Sequence, residues 1–141
     1  RVKRLLAVDG SAYTQRMLTY IVTHGDWFGS KHRYTVIHCA AAVPHRAAAF
    51  LDSAQVGAFY AEDAEAVLAP VRTFLVKQGV EANYVHRIGS AAANIAKLAQ
   101  RGKFDLVMMG TQGRGAVGGL LLGSVATKVL SLCTTPVLLI R

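Results

Sequence analysis

MGTQGRGAVGGLLLGSVATK, Met109–Lys128, holds six of the chain's thirteen glycines and no acid, and it follows directly on the apolar run Phe104–Met109. Glycine inside an element costs roughly 0.5–1 kcal/mol relative to alanine. So many in one stretch call for positive φ angles or for a ligand approaching the backbone, and phosphate is the usual ligand of such loops. Two phosphate motifs can be tested. Gly113-Arg-Gly115-Ala-Val-Gly118 matches G-x-G-x-x-G, but a dinucleotide fold places that motif after the first strand, with an acid about twenty residues later. Here it follows the fourth expected strand, and no Asp or Glu occurs after Asp105. Gly118-x-x-x-x-Gly123-Ser124 nearly matches a P-loop, but Ser124 and Val125 stand where Lys and Ser/Thr belong. The β- and γ-phosphates would then lack their cation. Both motifs fail.

A simpler anion site remains. Ser124 opens an expected helix, so the Gly123 and Ser124 amides and the positive end of the helix dipole can meet a phosphate. The Ser124 hydroxyl adds a donor. Gly110 and Gly113 let backbone amides face the same point, and Arg114 and Lys128 bring positive charge. The alternative is a plain surface loop with Ser124 as an ordinary N-cap.

Outward from this loop the chain alternates strand and helix. Leu5–Val8 is a β-prone run ended by the turn Asp9-Gly10-Ser11. Ser11 can cap a helix that carries Met17, Leu18, Ile21 and Val22 on one face and stops near Gly25. Tyr34–Cys39 reads as a second strand, followed by an irregular alanine-rich stretch, Ala40–Gly57. Helical spacing of Tyr60, Val67, Val71, Phe74 and Leu75 places a helix over about Ala58–Gln78, with Pro70 as an expected kink and Gly79 as its stop. Ala82–Ile88 is a third strand, and Gly89-Ser90 starts a helix with Ile95, Leu98 and Ala99 inward. Phe104–Met109 is a fourth strand, apolar as expected of one covered on both faces. A helix from Ser124 carries Val125, Val129, Leu130 and Cys133 on one side, and Pro136–Ile140 closes as a fifth strand. Five strands and four helices joined by short turns argue for a parallel sheet with helices on both faces. Ligands bind such sheets at the carboxyl ends of the strands, so Asp9–Ser11, Cys39–Ala42 and Gly110–Gly123 should converge.

Composition bounds the rest. The 141 residues fit one domain, 1–141, and 52% hydrophobic against 17% charged residues exclude a disordered chain. No apolar run is long enough to cross a bilayer, and no signal-peptide pattern is visible. Cys39 and Cys133 suit reduced thiols, so a cytoplasmic protein is expected. The net charge of +8 could attract nucleic acid, an anionic membrane surface or a small anion. Its one cluster, Arg1, Lys3 and Arg4, opens a strand, and no arginine-rich or aromatic-basic run occurs, which argues against nucleic acid.

Gly110-x2-Gly113-x9-Gly123-Ser124 resembles, without a gap, the G-2x-G-9x-G-S/T pattern of nucleotide-binding members of the universal stress protein family. RLLAVDGS (Arg4–Ser11), FDLVMMGTQGRG (Phe104–Gly115) and TPVLLIR (Thr135–Arg141) resemble its first strand and turn, its fourth strand and its ending, so the likeness covers essentially the whole chain. The resemblance implies an α/β, Rossmann-like open sheet of five parallel strands in the order 3-2-1-4-5, ATP as ligand with Mg2+, and a homodimer. It puts Asp9 by the ribose or adenine, with Gly10 and Ser11 in the same turn. The backbone at Cys39 and Ala40 would edge the adenine, and Met109 and Gly110 would lie beneath the sugar and α-phosphate. Gly113, Gly123, Ser124 and Val125 would hold phosphates through main-chain amides, with Arg114 nearby. The chain departs from the family pattern mainly in Ala40–Gly57.

Hydrolysis needs a residue to orient water and usually a metal-holding acid. The glycine loop has no carboxylate, which leaves Asp9 as metal ligand, directly or through water. His24, His32, His38, His45 and His86 show no zinc spacing with cysteine, and His38 and Cys39 point to opposite faces of a strand. Of the five, His45 is the candidate to overhang the nucleotide. Together with the dimer and ATP that the resemblance implies, these features favour a regulatory module, signalling to an unknown partner with slow or no hydrolysis, over an ATPase or phosphotransferase. A dimerising protein without nucleotide is the third reading.

Overall fold

The apolar runs pair as five parallel strands in the order β3-β2-β1-β4-β5. The computed structural model describes residues 2–28 and 31–141, and Ala48 by its backbone alone, so Arg1 of the basic cluster lies outside the described residues. The strands are β1 (Lys3–Ala7), β2 (Arg33–Ala40), β3 (Ala82–Ile88), β4 (Leu106–Gly110) and β5 (Val137–Ile140). The helices are α1 (Ala12–Thr23), α2 (His45–Ala48), α3 (Ser53–Lys77), α4 (Ala91–Arg101) and α5 (Ser124–Leu132). Leu5 lies in register with Thr35 of β2 on one side and Val107 of β4 on the other, so β1 is central. The chain builds outward to β3 and then crosses back to β4. That reversal beside β1 opens a crevice at the strands' carboxyl ends.

Alternation along β1 divides the core. Leu6 and Val8 pack with Met17, Leu18 and Ile21 of α1 and with Val67, Leu68, Val71 and Leu75 of α3. Leu5, Ile37, Val107 and Met109 pack with Ile95 and Ala99 of α4 and Ala126 and Val129 of α5. Helices therefore cover both faces.

Three expectations are corrected. Ala40–Gly57 is not wholly irregular: it contains α2 and the first turn of α3. The α3 start lies at Ser53 rather than near Ala58 because Asp52 and Gln55 form a reciprocal capping box, with Gln55 N–H donating to Asp52 Oδ1 at 2.7 Å. In α5 the inward residues are Ala126 and Val129, whereas Val125 and Leu130 are exposed. The large side chains suggested one face, but the small Ala126 fits against the sheet.

His38 and Cys39 do face opposite sides. The His38 ring is buried between the Val8 carbonyl (Nδ1 at 3.1 Å) and Asp63 of α3 (Nε2 to Oδ2, 3.0 Å), tying that helix to the ends of β1 and β2. Cys39 packs on the α4–α5 side.

Candidate functional site

A cavity of about 430 Å³ occupies the crevice beyond β1 and β4. Its floor is apolar, with Ala7, Ile37, Met109, Ile95 and Ala126 from both sheet and helices. Its rim is polar and carries Asp9, Thr14, Gln112, Arg114 and Ser124.

Asp9 joins the two sides of this rim. Its Oδ1 accepts from the Ser11 amide at 2.9 Å and from Thr14 Oγ1 at 3.1 Å, and its Oδ2 accepts from the Arg114 amide at 3.1 Å. Burial works to raise the Asp9 pKa, but the bonds from Ser11, Arg114 and Thr14 outweigh it and hold the carboxyl below its ordinary value. The Ser11 hydroxyl beside the carboxylate assists without hydrogen-bond geometry. Its Oγ has no partner, although Ser11 occupies the N-cap position of α1.

The glycines of the loop are needed for close approach within the protein. Neither Gly110 nor Gly113 has a positive φ. A Cβ on Gly113 would overlap the Asp9 carboxylate, and one on Gly110 would stand 2.5 Å from Tyr13 Cβ. The loop then closes on itself. Gln112 Nε2 donates to the Leu120 carbonyl at 2.7 Å, and its Oε1 accepts from the Val117 amide at 3.0 Å.

The phosphate-side expectation needs one correction. The Gly123 amide is not free: it donates to the Thr111 carbonyl at 2.7 Å, an alignment that sets the entry into α5. The first bond inside that helix runs from Thr127 N to Gly123 O, so the amides of Ser124, Val125 and Ala126 are the open donors of the first turn. All three residues line the cavity.

Nine of the expected site residues therefore meet there: Asp9, Cys39, Met109, Gly110, Gly113, Arg114, Gly123, Ser124 and Val125. Gly10, Ser11 and Ala40 do not line it. Gly10, at φ +78, lies instead under the Arg114 guanidinium. His45 is exposed at the start of α2 and is not part of the lining either. The Cys39 thiol, half-buried at the cavity wall, is pushed up to about 11 by burial, against the smaller opposing pull of Arg87.

Sequence reasoning missed Tyr13, Thr14 and Gln112. Thr14 was the detectable one, since a hydroxyl five residues after Asp9 can return to it once α1 begins. The geometry offers an apolar slot beside open helix amides, suited to a flat ring joined to an anion. Asp9 is the one carboxylate on the lining, with both oxygens already accepting hydrogen bonds. The described residues contain no group of three His, Cys, Asp or Glu that could hold a metal ion. Mg2+ carried by phosphates needs only one or two carboxylates, and Asp9 fits such an ion directly or through water.

The chain matches the model of the universal stress protein family over residues 2–141. It is 34% identical over 138 residues to the universal stress protein in the QAH/OAS sulfhydrylase 3' region of Thermus aquaticus, covering 97% of this chain and 96% of that one. Among solved structures it resembles universal stress protein UspA from Lactobacillus plantarum, at a TM-score of 0.78 and 19% identity, covering 99% and 97% of the two chains. It also resembles the Archaeoglobus fulgidus universal stress protein in complex with dAMP, at a TM-score of 0.70 and 18% identity, covering 100% and 98%. At these identities the structural likeness speaks for the fold.

Proposed function

The chain belongs to the universal stress protein family, and from that premise we propose that its cavity binds ATP with Mg2+. The protein, as a single domain 1–141, is on this reading a dimeric cytoplasmic regulatory module with slow or no hydrolysis. One observation carries the reading: Gly110-x2-Gly113-x9-Gly123-Ser124 comes to a single cavity in which open first-turn amides of α5 face an apolar slot. The base lies on the apolar floor beside the Cys39–Ala40 backbone, and the ribose lies near Asp9. Phosphates meet the Ser124 and Val125 amides and the Ser124 hydroxyl, where the helix dipole favours negative charge. Gly113 and Gly110 keep the loop close, and Arg114 adds charge at the rim. The dAMP complex of the Archaeoglobus fulgidus protein supports an adenine nucleotide as the ligand class.

Mg2+ supplies charge neutralisation to the phosphates when it accompanies them, and Asp9 reaches it through water. β5 is an edge strand, and a second copy pairing along Pro136–Ile140 completes the dimer. The signalling partner is a further protein of unassigned type. Mass spectrometry of the gently purified protein tests the ligand, with calorimetry on the stripped protein against ATP. Co-purified adenine nucleotide and saturable ATP binding are expected. A folded protein that holds no nucleotide and takes up no ATP refutes the reading.

A further inference from the structure

Four buried side-chain polar atoms among the described residues have no hydrogen-bond partner: Arg4 Nε, Ser11 Oγ, His32 Nδ1 and Tyr84 Oη. Ser11 belongs to the Asp9 turn. The other three gather at the opposite end of the sheet, on the side where its strands begin. Arg4 is in register with Tyr34 and Tyr34 with Ala82, two residues before Tyr84. His32 and Tyr84, with Arg33, Tyr34, Arg72 and Glu81, line an open groove of about 1000 Å³ there. Tyr84 Oη can only be satisfied as a donor if an acceptor arrives, and His32 Nδ1 can donate in one tautomer, while Arg4 lies buried off the groove lining. Leaving two such atoms unmet on residues of one groove is unusual in a folded protein.

Charge points the same way. Arg4 is only 7% exposed and forms no ion pair with a described carboxylate. Its guanidinium packs 4.5 Å from the Phe28 ring centre, and its Nη1 donates to Tyr34 Oη at 3.4 Å. Ring contacts offset part of the cost of a buried cation but do not replace a counterion. Arg72 lies 4.8 Å over the Tyr84 ring, with its fork on Glu65 at 3.2 Å, and the exposed Arg33 lines the same groove. The His32 imidazole is held below its ordinary pKa by its partial burial and then by Arg4 and Lys31, as expected in a positive local field.

We propose that this groove is a second binding site, separate from the glycine-loop cavity, for a small molecule bearing one oxyanion group. Arg33 and Arg72 hold the phosphate or carboxylate, Tyr84 and His32 supply donors, and Arg4 supplies charge from beneath. Glu81, the carboxylate on the lining, repels a second negative group, so a ligand whose remainder is neutral or cationic fits and a polyphosphate does not.

The test follows the His32 imidazole resonances while the full chain is titrated in separate arms with inorganic phosphate and acetate, against chloride at matched ionic strength. A saturable shift with phosphate or acetate, accompanied by an upward move of the His32 titration midpoint, is expected. The arm that saturates more tightly identifies the group. In a folded Arg33→Gln/Arg72→Gln variant the affinity should fall about tenfold or more, the size of one lost charge-assisted contact. Gly113→Ala, which alters only the other cavity, should leave the groove titration unchanged. A shift that chloride reproduces, or one that survives loss of both arginines, overturns the proposal.

Discussion

The main-chain amide of Arg114 donates to Asp9 Oδ2 at 3.1 Å across 105 residues of sequence. This bond fastens the glycine loop to the end of the central strand, and it exists because residue 113 has no side chain to separate them. Gly113→Ala should push the loop off Asp9 while the core, which it does not touch, stays folded. Calorimetry should show ATP binding weakened by about tenfold or more, consistent with losing a hydrogen bond to a charged group worth roughly 1.5–3 kcal/mol. Unchanged affinity in a folded variant would show that the clamp is not part of the site.

Asp9 also makes stability depend on pH in a defined direction. Its folded pKa lies below the ordinary value of 3.8, so the carboxylate's contribution is complete above that value. It is lost as the pH falls through the lowered folded value. Asp9→Asn should therefore be less thermostable than the parent at pH 7, and the gap should close as the pH falls below 3.8. A gap that widens in acid would contradict the assignment of these bonds.

At the start of α5, Ser124→Ala removes one donor and leaves the helix amides. ATP affinity should drop by the equivalent of roughly 0.5–1.5 kcal/mol, or up to about 3 if the bond is charge-assisted. Gly123→Val should act more severely, because its Cβ would press on Gln112 Cα at 3.3 Å and the Thr111 carbonyl at 3.4 Å, where the loop turns into the helix. Calorimetry on both variants checks the order of the two effects.

Cys39 should be a slow nucleophile. With its thiol pushed up to about 11, only about a thousandth is thiolate at pH 8, and alkylation should accelerate about tenfold per pH unit below that value. Because Cys39 lines the cavity, ATP should slow its modification further while leaving Cys133 unaffected. Mass-spectrometric labelling rates with and without ATP measure this, and equal rates at Cys39 would place the nucleotide elsewhere.

The exposed edge of β5 is apolar and carries no charge before Arg141. In the proposed dimer, two copies would pair these strands about a twofold axis in a self-complementary interface. Leu139→Lys, facing the α4–α5 side, or Leu138→Lys on the other, should weaken the dimer by bringing like charges near the axis. Sedimentation of the unmodified protein as a monomer at about tens of micromolar would exclude this arrangement.

Alternating apolar runs, glycine and proline stops and the spacing around Gly110, Gly113, Gly123 and Ser124 determined from sequence alone that this is a parallel α/β sheet with a glycine-rich loop leading from β4 into a helix. Those features are local, because backbone period and helix-end chemistry act within a few residues of each other. The capping box at Asp52 was equally local and could have been read. What only the tertiary structure decided is how the distant pieces meet. It made the glycines a matter of fit against Asp9 and Tyr13, engaged the Gly123 amide with Thr111, and turned Val125 outward while the small Ala126 packed inward. It also brought His32, Arg72 and Tyr84 to one groove from three separate segments. Each of these depends on the register between β1, β2, β3 and β4, and register is set by packing across the sheet, which no single stretch of the chain contains.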